Sequence, residues 1–287
     1  MQAGALGSWA SRVLRDAGSP SPRLDADLLL AHVLGTSRAA VLTHPERVLS
    51  DREQAEATVL VERRARGEPI AYLRGERDWY DLKVRVSPDV LVPRPETEGL
   101  LEKALDFARQ REAEGRPVER VVDVGTGSGI LAIALARALP GAHVYALDLS
   151  SAALAVAREN AARLLAPGRT ITFLESDLLD ALPECVDLIV ANLPYIGQDE
   201  YTALAPDIRL YEPRIALVGG EDGHELTVRL LEMAPGLLRP GGALYLELGP
   251  PQAAPSLGAA RRAFPSASIA LSADLAGLTR YLSVETA

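Results

Sequence analysis

A regular alternation of short apolar runs and helical segments, which extends from residue 121 to residue 248, constrains this chain most strongly. The runs are rich in apolar and β-branched residues, and segments with helical spacing lie between them. Parallel strands need helical crossovers, so the alternation predicts an α/β fold with a parallel sheet covered by helices on both faces. The predicted strands are 121–124, 143–147, 170–173, 186–190 and 243–248, and runs near Ser268 and Arg280 predict a closing hairpin.

The first part of the chain has a different pattern. Residues 6–67 predict short helices, with starts at Ser21-Pro22 and Ser50-Asp51. The helix that ends at residue 67 carries three arginines, which fit either a solvated face or a contact with an acidic or RNA-like partner. Extended runs at 79–86 and 90–92, separated by residues 87–89, predict a β-hairpin. The resulting division is a helical domain at 1–75, a hairpin linker at 76–95 and a large domain at 96–287.

Charge and lysine content exclude two classes of protein. Lys83 and Lys103 are the only lysines, and neither follows a glycine, so no phosphate-binding P-loop exists. The net charge of −9 disfavours broad contact with nucleic-acid phosphates, and we expect no stable nucleic-acid complex.

The cysteine and histidine content and the length of the apolar runs argue against disulfides, metal sites and membrane spans. One cysteine, Cys185, forms no internal disulfide. The four histidines are scattered, so we expect no metal site. Apolar runs such as 130–136 are far shorter than the ~20 residues of a membrane span. We therefore expect a cytoplasmic protein without membrane contact.

The first strand of the alternation runs into Gly125-Thr126-Gly127-Ser128-Gly129, and a helix follows directly. Glycines at this point let the backbone approach a ligand at a helix N-terminus. The dinucleotide-binding motif G-x-G-x-x-G does not match, because Ile130 occupies the position of its third glycine. The hydrolase motif G-x-S-x-G does not match either, because Gly127 occupies the position of its serine.

Acidic residues follow the next two strands. Asp148 ends the second strand, where a carboxylate accepts hydrogen bonds from ribose hydroxyls, and Ser176-Asp177-Leu178 follows the third, where it suits the edge of an adenine. Tight turns with helix-capping acids are the structural alternative. Ligands of open α/β sheets bind at the carboxyl ends of strands, so the three elements in this order favour a nucleoside site.

The fourth strand ends in Asn192-Leu193-Pro194-Tyr195. An asparagine oxygen and a neighbouring backbone carbonyl together accept both hydrogens of one planar NH2 group, while an aromatic ring packs on its plane. Such a nitrogen is a poor nucleophile that needs alignment with a reactive electrophile, and the methyl sulfonium of S-adenosylmethionine fits. The alternative is an ordinary Asn-x-Pro turn that closes a strand.

These residues resemble the Rossmann-like S-adenosylmethionine methyltransferases with an Asn-Pro-Pro-Tyr motif, which methylate adenine, cytosine or glutamine amides. Three further segments, 67–75, 91–98 and 274–280, are similar to the peptide chain release factor glutamine methyltransferases. The similarity covers nearly the whole chain. It implies a mostly parallel seven-stranded methyltransferase sheet, and it makes residues 1–75 a substrate-recognition domain.

The resemblance implies methyl transfer from S-adenosyl-L-methionine to the N5 amide nitrogen of a glutamine in a release factor. A ribosomal protein or a nucleic-acid amine is the alternative substrate, and a cofactor-binding module without catalysis is the alternative class. The implied catalytic residues are Asn192, Leu193, Pro194 and Tyr195. The implied cofactor residues are Gly125, Thr126, Gly127, Ser128, Gly129, Asp148, Leu149, Asp177, Leu178 and Asn192. Arg94, Glu96 and Thr97 are implied on the substrate side, and the long segment 198–220 is a candidate substrate wall.

One position departs from the family pattern, because Leu193 replaces the usual first proline. The acceptor needed there is a backbone carbonyl, which leucine supplies. Pro194 keeps residue 193 out of the α region, so we expect the chemistry to survive.

Overall fold

We describe the protein from a computed structural model that covers residues 1–287. The chain divides into two compact units. The first comprises Met1–Glu76 and Ala205–Tyr211, and the second comprises Arg77–Leu204 and Glu212–Ala287. The hairpin therefore belongs almost entirely to the second unit, and a short piece of the segment after the fourth parallel strand belongs to the first. No helix combines the length and apolar character needed to cross a membrane.

The first unit is helical. Its helices are α1 (Ala3–Asp16), α2 (Pro22–Val33), α3 (Arg38–Thr43), α4 (Asp51–Ala65), α5 (Ile70–Arg74) and the later α10 (Pro206–Tyr211). The side chains of Ser50 and Glu53 form a reciprocal capping box that starts α4 at the predicted position. Leu14, Leu29 and Leu30 are fully buried and form part of the core.

The arginines at the end of α4 are engaged within this unit. The Nε of Arg64 lies 2.9 Å from Oδ2 of Asp25, and both side chains are largely buried. Arg63 pairs with Glu68. Arg64 therefore forms a buried ion pair within the helical unit. It belongs neither to a solvated face nor to a partner-binding face, the two interpretations that the sequence allowed.

The second unit begins with a hairpin of β1 (Glu76–Trp79) and β2 (Leu82–Arg85). Its turn lies at Tyr80, which has a φ of +52°. The predicted break between the runs is a turn, in which the Val90 N–H donates to the Ser87 carbonyl at 3.1 Å. The prediction of a strand at 90–92 was wrong, since these residues form no strand. The reason is long-range: the Val92 N–H donates to the buried Glu212 carboxylate at 3.2 Å, so it has no strand partner.

The main sheet has seven strands in the order β5-β4-β3-β6-β7-β9-β8. The first five in this order are parallel, and β9 is antiparallel to both β7 and β8. The predicted α/β fold with a closing hairpin is confirmed. The strands are β3 (Arg120–Val124), β4 (His143–Asp148), β5 (Ile171–Glu175), β6 (Val186–Ala191), β7 (Leu238–Glu247), β8 (Ser268–Ala273) and β9 (Thr279–Glu285).

Helices connect these strands. They are α6 (Thr97–Ala113), α7 (Ile130–Ala138), α8 (Ser151–Leu164), α9 (Gln198–Ala203), α11 (Glu225–Met233) and α12 (Ala253–Ala263).

The direction of the chain across the sheet reverses between β3 and β6. From β3 the chain proceeds outward through β4 and β5, and it then returns to the other side of β3 as β6. Val124 pairs with Ala191 at the carboxyl ends of these two strands. Such a switch point opens a crevice in doubly wound sheets. The glycine loop and the Asn192 turn therefore both start at this crevice.

Candidate active site

A cavity of about 320 Å³ lies at the carboxyl ends of β3, β4, β5 and β6. Its wall combines the turns that follow these strands with the segments 89–97 and 215–226. Predicted site residues in its lining are Arg94, Thr97, Gly125, Thr126, Gly127, Ser128, Asp148, Leu149, Asp177, Leu178, Asn192, Leu193 and Pro194. Gly129, Glu96 and Tyr195 lie outside this lining.

The glycine loop folds tightly against the Asn192 turn. All three of its glycines have positive φ, between +54° and +84°. A Cβ at Gly125 would lie 3.1 Å from Cδ2 of Leu193, and a Cβ at Gly129 would lie 3.1 Å from Cβ of Ala157. Gly129 therefore allows α7 to start while packed on α8. Glycine is required at both positions by conformation and by close approach.

Asp148 is held at the edge of the cavity by backbone donors. Its Oδ2 accepts from the Gly127 N–H at 2.8 Å, and its Oδ1 accepts from the Ser150 N–H at 2.9 Å. Burial raises the pKa of this carboxyl, while the backbone donors oppose that change. Each carboxylate oxygen has further acceptor capacity, so the group can still bind hydroxyls of a ligand.

The turn after β5 contains a strained residue. Leu178 has a φ of +51°, a conformation that costs a side-chain-bearing residue roughly 1–2 kcal/mol. The Ser176 hydroxyl donates to the Leu178 carbonyl at 2.9 Å and braces the turn. The neighbouring Asp177 accepts from Nη2 of Arg229 at 2.9 Å. Residue 178 is thus fixed in the cavity wall.

Sequence reasoning missed Asp123, which is fully buried and lines the cavity. Its Oδ2 accepts from the Thr126 hydroxyl at 2.7 Å and from the Ala132 N–H at 3.1 Å. Its Oδ1 has no hydrogen-bond partner. Burial raises the pKa of Asp123 to about 7. A lone acid in an apolar strand, two residues before the glycine loop, is the signal that would have found it.

A short hydrogen-bonded chain holds Asn192. Its Nδ2 donates to the Thr97 hydroxyl oxygen at 2.9 Å, and that hydroxyl donates to Oε2 of Glu247 at 2.7 Å. Thr97 and Glu247 are both almost fully buried. Because the Asn192 amide nitrogen is used in this way, its Oδ1 is the atom left to accept a ligand hydrogen bond. Glu247 is a second residue that sequence reasoning missed.

The rest of the Asn192 turn is fixed by backbone contacts. The Ile196 N–H donates to the Leu217 carbonyl at 3.0 Å. A Cβ at Gly219 would lie 2.1 Å from the Pro194 carbonyl oxygen, so the following loop needs glycine there. Tyr195 is half-buried, and desolvation with a contribution from Glu247 raises the pKa of its phenol to about 12. The phenol is therefore protonated at neutral pH.

The segment 93–97 is anchored at several points. The Trp79 indole donates to the Arg94 carbonyl at 2.8 Å, and the Tyr281 hydroxyl donates to the Glu96 carbonyl at 2.7 Å. The Arg94 guanidinium donates to the buried Glu212 at 2.6 Å. The Arg94 side chain and Thr97 are thus brought to the cavity, whereas Glu96 contributes its backbone.

Comparison with known proteins gives a consistent family. A family profile described as the PrmC N-terminal domain matches residues 5–75, and one described as ribosomal protein L11 methyltransferase (PrmA) matches residues 102–198. A release factor glutamine methyltransferase of Rhodopirellula baltica is 42% identical, over 97% of this chain and 94% of that protein. One of Deinococcus radiodurans is 43% identical, over 91% of each. The chain belongs to the release factor glutamine methyltransferase family.

A solved structure supports the fold of this family member. A methyltransferase from Pyrococcus furiosus superposes on this chain with a TM-score of 0.53. That structure is 20% identical and covers 72% of this chain and 89% of its own. The likeness establishes a methyltransferase fold.

Asn160 connects the glycine loop of this family member to β2. Its Nδ2 donates to the carbonyls of Arg85 and Ser128, both at 2.9 Å, and its Oδ1 accepts from the Arg85 N–H. Asn160→Asp replaces the donor with a carboxylate in a fully buried site. We expect the free energy of unfolding in urea to fall by about 3–5 kcal/mol, as for an uncompensated buried charge.

The control is the exposed neighbour on the same helix. Glu159 pairs with Arg85 at the surface, so Glu159→Gln should lower the free energy of unfolding by less than about 1 kcal/mol. Equal effects of the two substitutions would contradict the role of Asn160.

Proposed function

We propose that this chain transfers a methyl group from S-adenosylmethionine to the side-chain amide nitrogen of a glutamine in a peptide chain release factor. Family membership supports the reaction and the substrate. The single structural observation that carries the proposal is the Asn192 amide, whose nitrogen is engaged by Thr97. An amide fixed in this way offers an oxygen acceptor to a planar NH2 group.

The cavity fits S-adenosylmethionine. Asp148 suits its ribose hydroxyls, and the apolar Leu178 and Leu226 are part of the cavity lining. The unpartnered Oδ1 of Asp123 is a buried acceptor that a cationic amino group would satisfy. When bound, S-adenosylmethionine supplies an electrophilic methyl carbon on a positively charged sulfur.

The Asn192 turn suits the accepting amide. Asn192 Oδ1 and the Leu193 carbonyl would accept its two hydrogens, and Tyr195 would pack on its plane. Because Tyr195 stays protonated, it contributes packing and orientation rather than a base. Two acceptors that favour loss of planarity at the nitrogen and align it with the methyl group account for catalysis by positioning.

The residues that line the cavity all belong to the second unit. Residues 5–75 match the profile described as the PrmC N-terminal domain, and on this family resemblance we assign residues 1–75 to binding of the protein substrate. This division leaves alignment of the methyl group and the amide to the second unit.

The direct test compares three acceptors. Purified release factor, ribosomal proteins and DNA are each incubated with the enzyme and S-adenosylmethionine carrying a labelled methyl group. We expect label in the release factor alone, on a glutamine N5 located by mass spectrometry. Label confined to ribosomal protein or DNA would replace the proposed substrate, and absence of transfer to all three would overturn methyl transfer.

Asp148→Ala tests the nucleoside site. It removes a charged acceptor of two hydrogen bonds worth roughly 1.5–3 kcal/mol each, with partial replacement by water. We expect S-adenosylmethionine to bind more weakly by about 2–4 kcal/mol in titration calorimetry. The control Asp81→Ala changes an exposed ion pair with Arg137 and should leave affinity unchanged. Unaltered affinity in Asp148→Ala would remove Asp148 from the site.

Asn192→Ala and Leu193→Pro separate side chain from backbone. Asn192→Ala should abolish methyl transfer while S-adenosylmethionine still binds. Leu193→Pro keeps the carbonyl, so single-turnover rates should stay within about tenfold, or 1.4 kcal/mol. The Leu193 side chain is buried in the core, so the same change should lower the free energy of unfolding by about 1–3 kcal/mol. A lost rate in a folded Leu193→Pro protein would implicate the leucine itself.

A further inference from the structure

Glu247 is an acidic residue that is buried in the sheet, where its carboxyl group lowers the stability of the fold unless it has a function. It ends β7 between the buried Leu246 and Leu248, and only 2% of its surface is exposed. Burying a carboxylate is costly, and an apolar residue would fill a sheet position without that cost. It accepts a hydrogen bond from the Thr97 hydroxyl, which in turn accepts one from the Asn192 amide nitrogen.

We propose that Glu247 is a positioning residue, which fixes the Thr97 hydroxyl and thereby directs Oδ1 of Asn192 toward the substrate amide. The inference rests on the proposed function for the identity of that amide. The orientation itself is a property of the free protein.

The direction of the chain of hydrogen bonds follows from proton count. A threonine hydroxyl has one proton to donate, and a carboxylate only accepts. With Glu247 ionised, the Thr97 proton goes to Oε2, so Thr97 can only accept from Asn192. That requirement selects the amide nitrogen of Asn192 and leaves its oxygen for the substrate.

Protonation of Glu247 removes the selection. A carboxylic acid can donate to Thr97, and the hydroxyl proton is then free to bind the oxygen of Asn192. The amide can rotate and present its NH2 group to the NH2 group of the substrate. Two donors would then face each other, so the rotated form cannot hold the acceptor nitrogen.

The surroundings of Glu247 set the pH at which this happens. Burial opposes the carboxylate, and Glu96 acts in the same direction. The hydrogen bond from Thr97 and the charges of Arg280 on β9 and of Arg94 favour the carboxylate, and the phenols of Tyr195 and Tyr281 lie nearby. Burial is the largest effect and raises the pKa of Glu247 to about 7. The orienting form is therefore the one present above about pH 7, and it is lost as pH falls.

The chain offers an unusually clean spectroscopic test, since it contains only two asparagines, Asn160 and Asn192. With ¹⁵N-labelled asparagine, the free protein gives two side-chain amide signals, and Asn160 serves as the internal reference. We expect the Asn192 signal to titrate between pH 5.5 and 8.5 with a midpoint near 7. In Glu247→Gln the titration should vanish, while the Asn160 signal stays unchanged in both proteins.

Kinetics supply the second readout. Single-turnover methylation of release factor should slow at least tenfold from pH 8 to pH 5.5. In Glu247→Gln, the part of this decrease that depends on ionisation of Glu247 should be absent. Asp123 also titrates near pH 7, so the difference between the two proteins carries the assignment. Thr97→Val should lower kcat by ten- to a hundredfold with KM within threefold, and Thr97→Ser should restore the rate to within threefold.

The outcomes are separable. An Asn192 signal that titrates identically in the wild type and Glu247→Gln, or equal rates for Thr97→Val and Thr97→Ser, would overturn the positioning role. A wild type that leaves release factor unmethylated but shows the Glu247-dependent titration would overturn the proposed substrate while the positioning role stands.

Discussion

The pairing of β3 with β6 is the constraint on which the rest of the site depends. These strands are distant in sequence but adjacent in the sheet, and Val124 and Ala191 end them side by side. The next residues are therefore forced into contact, with Gly125 against Leu193. A nucleoside-binding loop and an amide-binding turn, each formed by local sequence, become one site because the sheet reverses direction there.

Buried acids fix this site from beneath. Asp123 holds the glycine loop through Thr126, Glu212 holds Arg94, and Glu247 holds Thr97. Each carboxylate has at least one directed donor, which offsets part of its desolvation. Apolar residues in place of these carboxylates would leave the donors free to reorient. The buried carboxylates thus lower stability through their desolvation, and they orient the groups in the cavity wall.

The sequence predicts what is local and misses what is long-range. Strand periodicity, the glycine loop and the Asn192 turn are encoded within about ten residues each, so the sheet and the crevice could be predicted. The strand expected at 90–92 was wrong because Glu212, 120 residues away, takes the hydrogen bond of Val92. Glu247 escaped for the same reason, since its partner Thr97 is 150 residues away. The assignment of 205–211 to the helical unit likewise has no local signal.

Leu193 connects the two halves of the crevice through different atoms. Its side chain is buried in the sheet core and packs against Gly125, while its carbonyl lies in the turn that begins with Asn192. A proline ring would rigidify the backbone from within, whereas leucine does so by packing, with Pro194 restricting its φ and ψ from the following position. The carbonyl direction is then set by the core rather than by the residue's own ring. Rigidity of the turn in this chain therefore depends on the glycine loop against which Leu193 packs, so any displacement of that loop reaches the amide acceptor directly.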